Sequence, residues 1–117
     1  MAPLPAVGMR AADSGVLVQL VVRDDPLQAA AADRFVSRGA SVSLLALAEA
    51  VWTLESEFGL GRSRIAQAIT MLLNHLDLTW QDADVVAAAL EHYRKDTTIG
   101  FSDCLVLEIA RKNQELA

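Results

Sequence analysis

The chain has a single cysteine, few aromatic residues, no excess of basic charge and no apolar run long enough to cross a membrane. One thiol excludes a disulfide scaffold. Cys104 reads as a reduced, buried side chain of a cytoplasmic protein, because no histidine lies near it in sequence to activate it. Ten Lys and Arg against fifteen Asp and Glu leave a net charge of −5, which argues against a passive DNA-binding surface, since affinity for phosphate backbones comes mostly from basic side chains. A nuclease is not excluded. An enzyme that reaches phosphates through bound divalent cations needs acids at its site, and the ion inverts the local charge. Residues 1–8 lack the basic start and long apolar core of a signal peptide and read as a flexible leader.

The 117 residues, 53% of them hydrophobic and rich in Ala, Leu and Val, suit one helix-rich domain over residues 9–117. A chain of this length buries about two-thirds of the surface it exposes when unfolded. Short apolar segments alternate with helical spacing. The segment Met9 to Ala12 ends at Asp13, the way an α/β fold sets an acid at the carboxyl edge of its sheet. Val16 to Val22 has the β-propensity of a strand but is apolar at nearly every position, so its composition leaves strand and helix both open. Asp25 and Pro26 read as N-cap and first position of a helix that Gly39 ends.

A short buried strand at residues 40–43 precedes a helix over 44–58, with Leu44, Leu47, Ala48, Val51, Leu54 and Phe58 in one row. The Gly59-Leu60-Gly61 break leads to a helix over 63–76 facing inward through Ile65, Ala68, Ile69, Leu72, Leu73 and Leu76, with His75 as a charge partner near its end. A strand at 78–80 follows. Asp82 and Asp84 then open a helix whose buried face is Val85, Val86, Ala89, Leu90 and Tyr93, and a last helix runs from Phe101 to Lys112.

Three acids stand in apolar company: Asp13, Glu49 between Leu45 and Trp52, and Asp103 at the head of a row with Val106, Leu107 and Ala110. That row keeps Asp103 from pointing straight to bulk water. Singly, Asp13 could end a strand, Glu49 could pair with an arginine, and Asp103 could cap a helix. Together they suit a common ligand edge. Two carboxylates about 5 Å apart repel by about 3 kcal/mol at an effective dielectric near 20, so such a group calls for a cation. Hard oxygen ligands suit Mg²⁺ or Mn²⁺, whereas zinc would ask for Cys and His at close spacing, and here those residues are scattered.

The order Asp13-Ser14-Gly15-Val16-Leu17-Val18, Asp24-Asp25-Pro26, Ala48-Glu49-Ala50-Val51-Trp52-Thr53-Leu54 and Phe101-Ser102-Asp103-Cys104-Leu105 resembles the PIN-domain family, VapC-type toxins of bacterial toxin–antitoxin pairs in particular. The resemblance covers nearly all of residues 9–113. It implies a three-layer α/β/α domain around a short parallel sheet, with Val16 to Val22 helical and the family's usual last strand, which carries Thr-Phe-Asp, missing from this shortened C-terminus. It further implies a Mg²⁺- or Mn²⁺-dependent endoribonuclease toxin, a homodimer held in check by a cognate antitoxin. Asp13, Glu49 and Asp103 would be the metal-binding catalytic acids, and Ser14 would partly replace the Thr-Asn or Thr-Ser that usually follows the first acid and helps hold a metal-bound water. Without the fourth acid, a weak or inactive binding module is the other expectation. Arg23, Arg62 and Arg64 are candidate contacts to RNA phosphates or else solvated surface charges.

Overall fold

The structure, a computed structural model, describes residues 10–116. The expected leader lies outside them. In chain order the elements are β1 (Arg10–Ala11), α1 (Ser14–Val22), α2 (Pro26–Val36), β2 (Ala40–Val42), α3 (Leu44–Ser56), α4 (Arg62–Leu73), β3 (Leu78–Trp80), α5 (Ala83–Lys95) and α6 (Phe101–Leu116). Among the described residues this is the expected α/β fold, six helices with a short parallel sheet ordered β1-β2-β3. Arg10 lies opposite Ala40, and Ala40 opposite Leu78, so the strands are in step. Because all three run the same way, the residues that leave their carboxyl ends emerge at one edge.

That edge is built from helix caps. Asp13 accepts from the Val16 amide, Ser43 from Ala46, and Asp82 from Val85, at 2.9, 3.0 and 3.3 Å. The Gln81 side chain adds a second acceptor for α3, taking the Leu44 amide at 3.0 Å. Each cap satisfies a backbone donor that the first helical turn leaves unpaired. Asp25 does the same for α2, at the Asp-Pro start expected from sequence. At the far ends, Gly39 (φ 89°) and Gly59 (φ 66°) supply the left-handed turns that follow α2 and α3.

The ambiguous run Val16 to Val22 is helical. Leu17, Val18 and Leu20 are buried while Val16, Val21 and Val22 pack against the core from its margin. Packing on α2, α3 and α4 at once explains why no single apolar stripe was visible. Two expectations about facing fail. Leu76 is 98% exposed, because α4 ends at Leu73 and His75 sits in the turn beyond, its Nδ1 accepting from the Asp77 amide at 3.1 Å. In α6 the inward face is Phe101, Cys104, Leu105 and Glu108, a spacing of three and four residues, so the row of Asp103, Val106, Leu107 and Ala110 faces water.

Candidate metal centre

Asp13 follows β1, whose pairing extends to an Ala12 amide bond with the Ser41 carbonyl at 2.8 Å. Its own backbone is extended, and Oδ1 is occupied by the Val16 amide. The carboxylate is exposed and takes no other hydrogen bond among the described residues. Ser14, the first residue of α1, is partly buried beside it, and a Cβ on Gly15 would come to 3.4 Å from Asp13 Oδ1.

Glu49 lies in the second turn of α3 and is exposed, as are its row neighbours Leu45 (70%) and Trp52 (65%). It is therefore neither aimed into a cleft nor a buried defect. Asp103 occupies the first turn of α6, where unpaired amides favour an anion, and it too is exposed. The correction to its expected half-burial has a simple cause. Val106 and Leu107 are 63% and 48% exposed, so they line an outer face of the helix.

The three acids head or ride on helices that pack in series, α1 on α3 and α3 on α6. Their side chains are not gathered into a finished cage: among the described residues, no three or more His, Cys, Asp or Glu form a group that could hold an ion. Nor does any of the three form an ion pair there. Arg10, the nearest cation in sequence to Asp13, stacks on the Phe35 ring with its Cζ 4.1 Å from the centroid. Arg34 and Arg64 make no ion pair among the described residues either.

Residues 11–116 match the family model of the PIN domain. The chain belongs to the PIN-domain family. Neither the curated proteins nor the solved structures contain a match to it. PIN domains are in general metal-dependent nucleases, and the donor set of Asp13, Glu49 and Asp103 is of the type a hard divalent cation takes, carboxylates without an ion pair among the described residues, though the three are not gathered round one point. It does not fit zinc. Cys104 is sealed in the core, where burial pushes its thiol up from the ordinary value, and His92 turns to Glu108 at 3.5 Å, on the seam of α5 and α6.

Reasoning from sequence treated Arg62 as a phosphate contact or a solvated charge, and the structure overturns both. Its Nη1 donates to the Ile99 carbonyl at 2.8 Å, and Nη2 to those of Tyr93 and Asp96 at 2.6 and 2.9 Å. Arg23 is likewise engaged, pairing with Asp33 through both of its Nη atoms. Arg64 alone of the three stays exposed with no ion pair among the described residues. No signal in the sequence near Arg62 could have shown this, because its acceptors lie 31 to 37 positions away.

Proposed function

We propose that this PIN domain is a Mg²⁺- or Mn²⁺-dependent endoribonuclease of VapC type, the toxin of a toxin–antitoxin pair in the cytoplasm, with Asp13, Glu49 and Asp103 as its metal-binding catalytic acids. The observation that carries the reading is the placement of three exposed acids, none in an ion pair among the described residues, at the start of α1 and on α3 and α6, helices that pack in series, the first acid at the carboxyl edge of the sheet. When bound, the ion supplies charge neutralisation for the scissile phosphate and lowers the pKa of a water. Asp13 is held by its α1 cap and anchors the group, Ser14 stands ready to orient a water beside it, and Glu49 and Asp103 complete the oxygen donors.

A second reading, a PIN-like binding module that engages an antitoxin or a twin subunit and cleaves slowly or not at all, is favoured by two observations. The acids form no ready-made group among the described residues, and Leu45, Trp52, Val106 and Leu107 stand exposed on α3 and α6, which pack on each other. Exposed large apolar side chains with an aromatic among them are typical anchors for a protein partner. They support an antitoxin and a homodimer contact in both readings. Purified protein incubated with transfer RNA separates the two: cleavage that requires Mg²⁺ or Mn²⁺ and vanishes in Asp13→Asn supports the nuclease. Cleavage that survives Asp13→Asn removes the site assignment, and no cleavage with either ion leaves the binding module.

A further inference from the structure

Arg62 is in the wrong place for its own helix. It is the first residue of α4, where the positive end of the helix dipole disfavours a cation, and Gly61 before it gives no side-chain cap. What compensates lies on other elements. The guanidinium covers the carboxyl end of α5, taking the Tyr93 and Asp96 carbonyls, and reaches across the following turn to Ile99, two residues before α6 begins. Its Cζ also sits 3.8 Å from the centroid of the Tyr93 ring, whose edge meets Phe101, the first residue of α6, at 5.7 Å between centroids. One partly buried side chain thus ties α4, the end of α5, the connecting turn and the start of α6 into one corner.

We infer that Arg62 is a positioning residue for the proposed metal centre: by fixing the turn over residues 96–100 it sets the first turn of α6, and with it Asp103. The inference rests on the proposed role of Asp103 as a ligand. Residues that orient ligands without touching the ion typically change metal affinity by about 10- to 100-fold when lost. Lysine is no substitute, because a single ammonium cannot present forked donors to three carbonyls and stack on a ring at once. A surface cavity of about 350 Å³ borders Arg62, Tyr93 and Arg94, so a small cation can enter from solvent where the side chain is removed.

The test compares wild type, Arg62→Lys and Arg62→Ala, each confirmed as folded by circular dichroism, in two measurements. The first, made without metal, is hydrogen exchange of the Cys104 amide, which donates to the Gly100 carbonyl at 3.1 Å in the opening turn of α6. The second is Mn²⁺ affinity by calorimetry. The expected result is that both variants exchange Cys104 faster by about 10-fold or more while the amides of α2 keep their protection, and bind Mn²⁺ about 10-fold more weakly. Millimolar guanidinium is expected to restore both quantities in Arg62→Ala and neither in wild type. A general loss of stability would not be repaired by that ion. Unchanged exchange at Cys104 overturns the inference, as does faster exchange with Mn²⁺ affinity intact. If wild type binds no Mn²⁺, the proposed metal centre itself fails, and faster Cys104 exchange in the variants then makes Arg62 a purely structural clamp.

Discussion

In the proposed site Asp13 uses one carboxylate for two purposes, capping α1 and holding the ion, and substitutions can pull them apart. Asparagine caps a helix about as well as aspartate but carries no charge, while alanine does neither. Asp13→Asn is therefore expected to keep the melting temperature and lose at least about 100-fold in Mn²⁺-dependent RNA cleavage, whereas Asp13→Ala also loses about 1 kcal/mol of stability in urea unfolding. Equal destabilisation by both would show that the charge, and not the cap bond to Val16, holds the start of α1. Cys104, next to Asp103 in sequence but with its side chain turned into the core, offers a control. Buried among Phe101, Leu105 and their neighbours, with its thiol pushed up, it should resist iodoacetamide at neutral pH until the protein is unfolded. At this scale the sequence was legible wherever a residue acts on its own neighbours, as Asp25 and Asp82 do on the first turns of α2 and α5. It was opaque for Arg62, whose partners only the fold brings near.

Among the elements, α6 is secured at both ends. Arg62 holds its start, and toward its other end Lys112 donates to Asp82 Oδ2 at 2.8 Å, tying it to the cap of α5. The hydrogen bond from Lys112 holds the Asp82 carboxyl below the usual carboxylate range, and the same bond raises Lys112. Asp82 therefore contributes stability in full above its unfolded value of about 3.9, and the contribution is lost as pH falls through the lower folded value. Lys112 contributes below about 10.4 and loses its share as pH rises through its raised value. Lys112→Met should thus lower stability at pH 7 and differ little from wild type at about pH 2, by urea unfolding at each pH. A deficit that persists undiminished in acid would mean that lost packing of the lysine stem, and not the ion pair, is responsible. The faces of the helices were legible unevenly. The inward row of α5 could be read directly, since its polar and apolar residues segregate. In α6 two rows are both apolar enough to be core, and the one containing Asp103 was read inward because sequence spacing cannot say which side meets α5.

The molecule as a whole is flat, 42 × 35 × 19 Å, with large apolar side chains standing out from α3 and α6 beside two of the three acids. In the proposed toxin that combination suits a partner segment that offers both apolar and basic groups. Trp52→Ala is expected to change stability by no more than about 0.5 kcal/mol, as a surface substitution, and to weaken association with a twin subunit or antitoxin by about 30-fold or more. Sedimentation of the two proteins across a concentration series would read the twin-subunit contact. An unaltered association curve would clear α3 of any part in that interface. The α/β class, and the order of elements from Asp25 onward, were legible because caps and breakers punctuate the chain at Asp25, Gly39, Gly59 and Asp82, whereas the composition of Val16 to Val22 left strand and helix both open. Whether the three acids share a ligand was not, since that depends on how α1, α3 and α6 stack. Calorimetric titration of Mn²⁺ into wild type, Asp13→Asn, Glu49→Gln and Asp103→Asn decides that question. The account predicts binding to the wild type that each single change weakens by about 10-fold or more. Wild-type affinity retained in any two of the variants would contradict it.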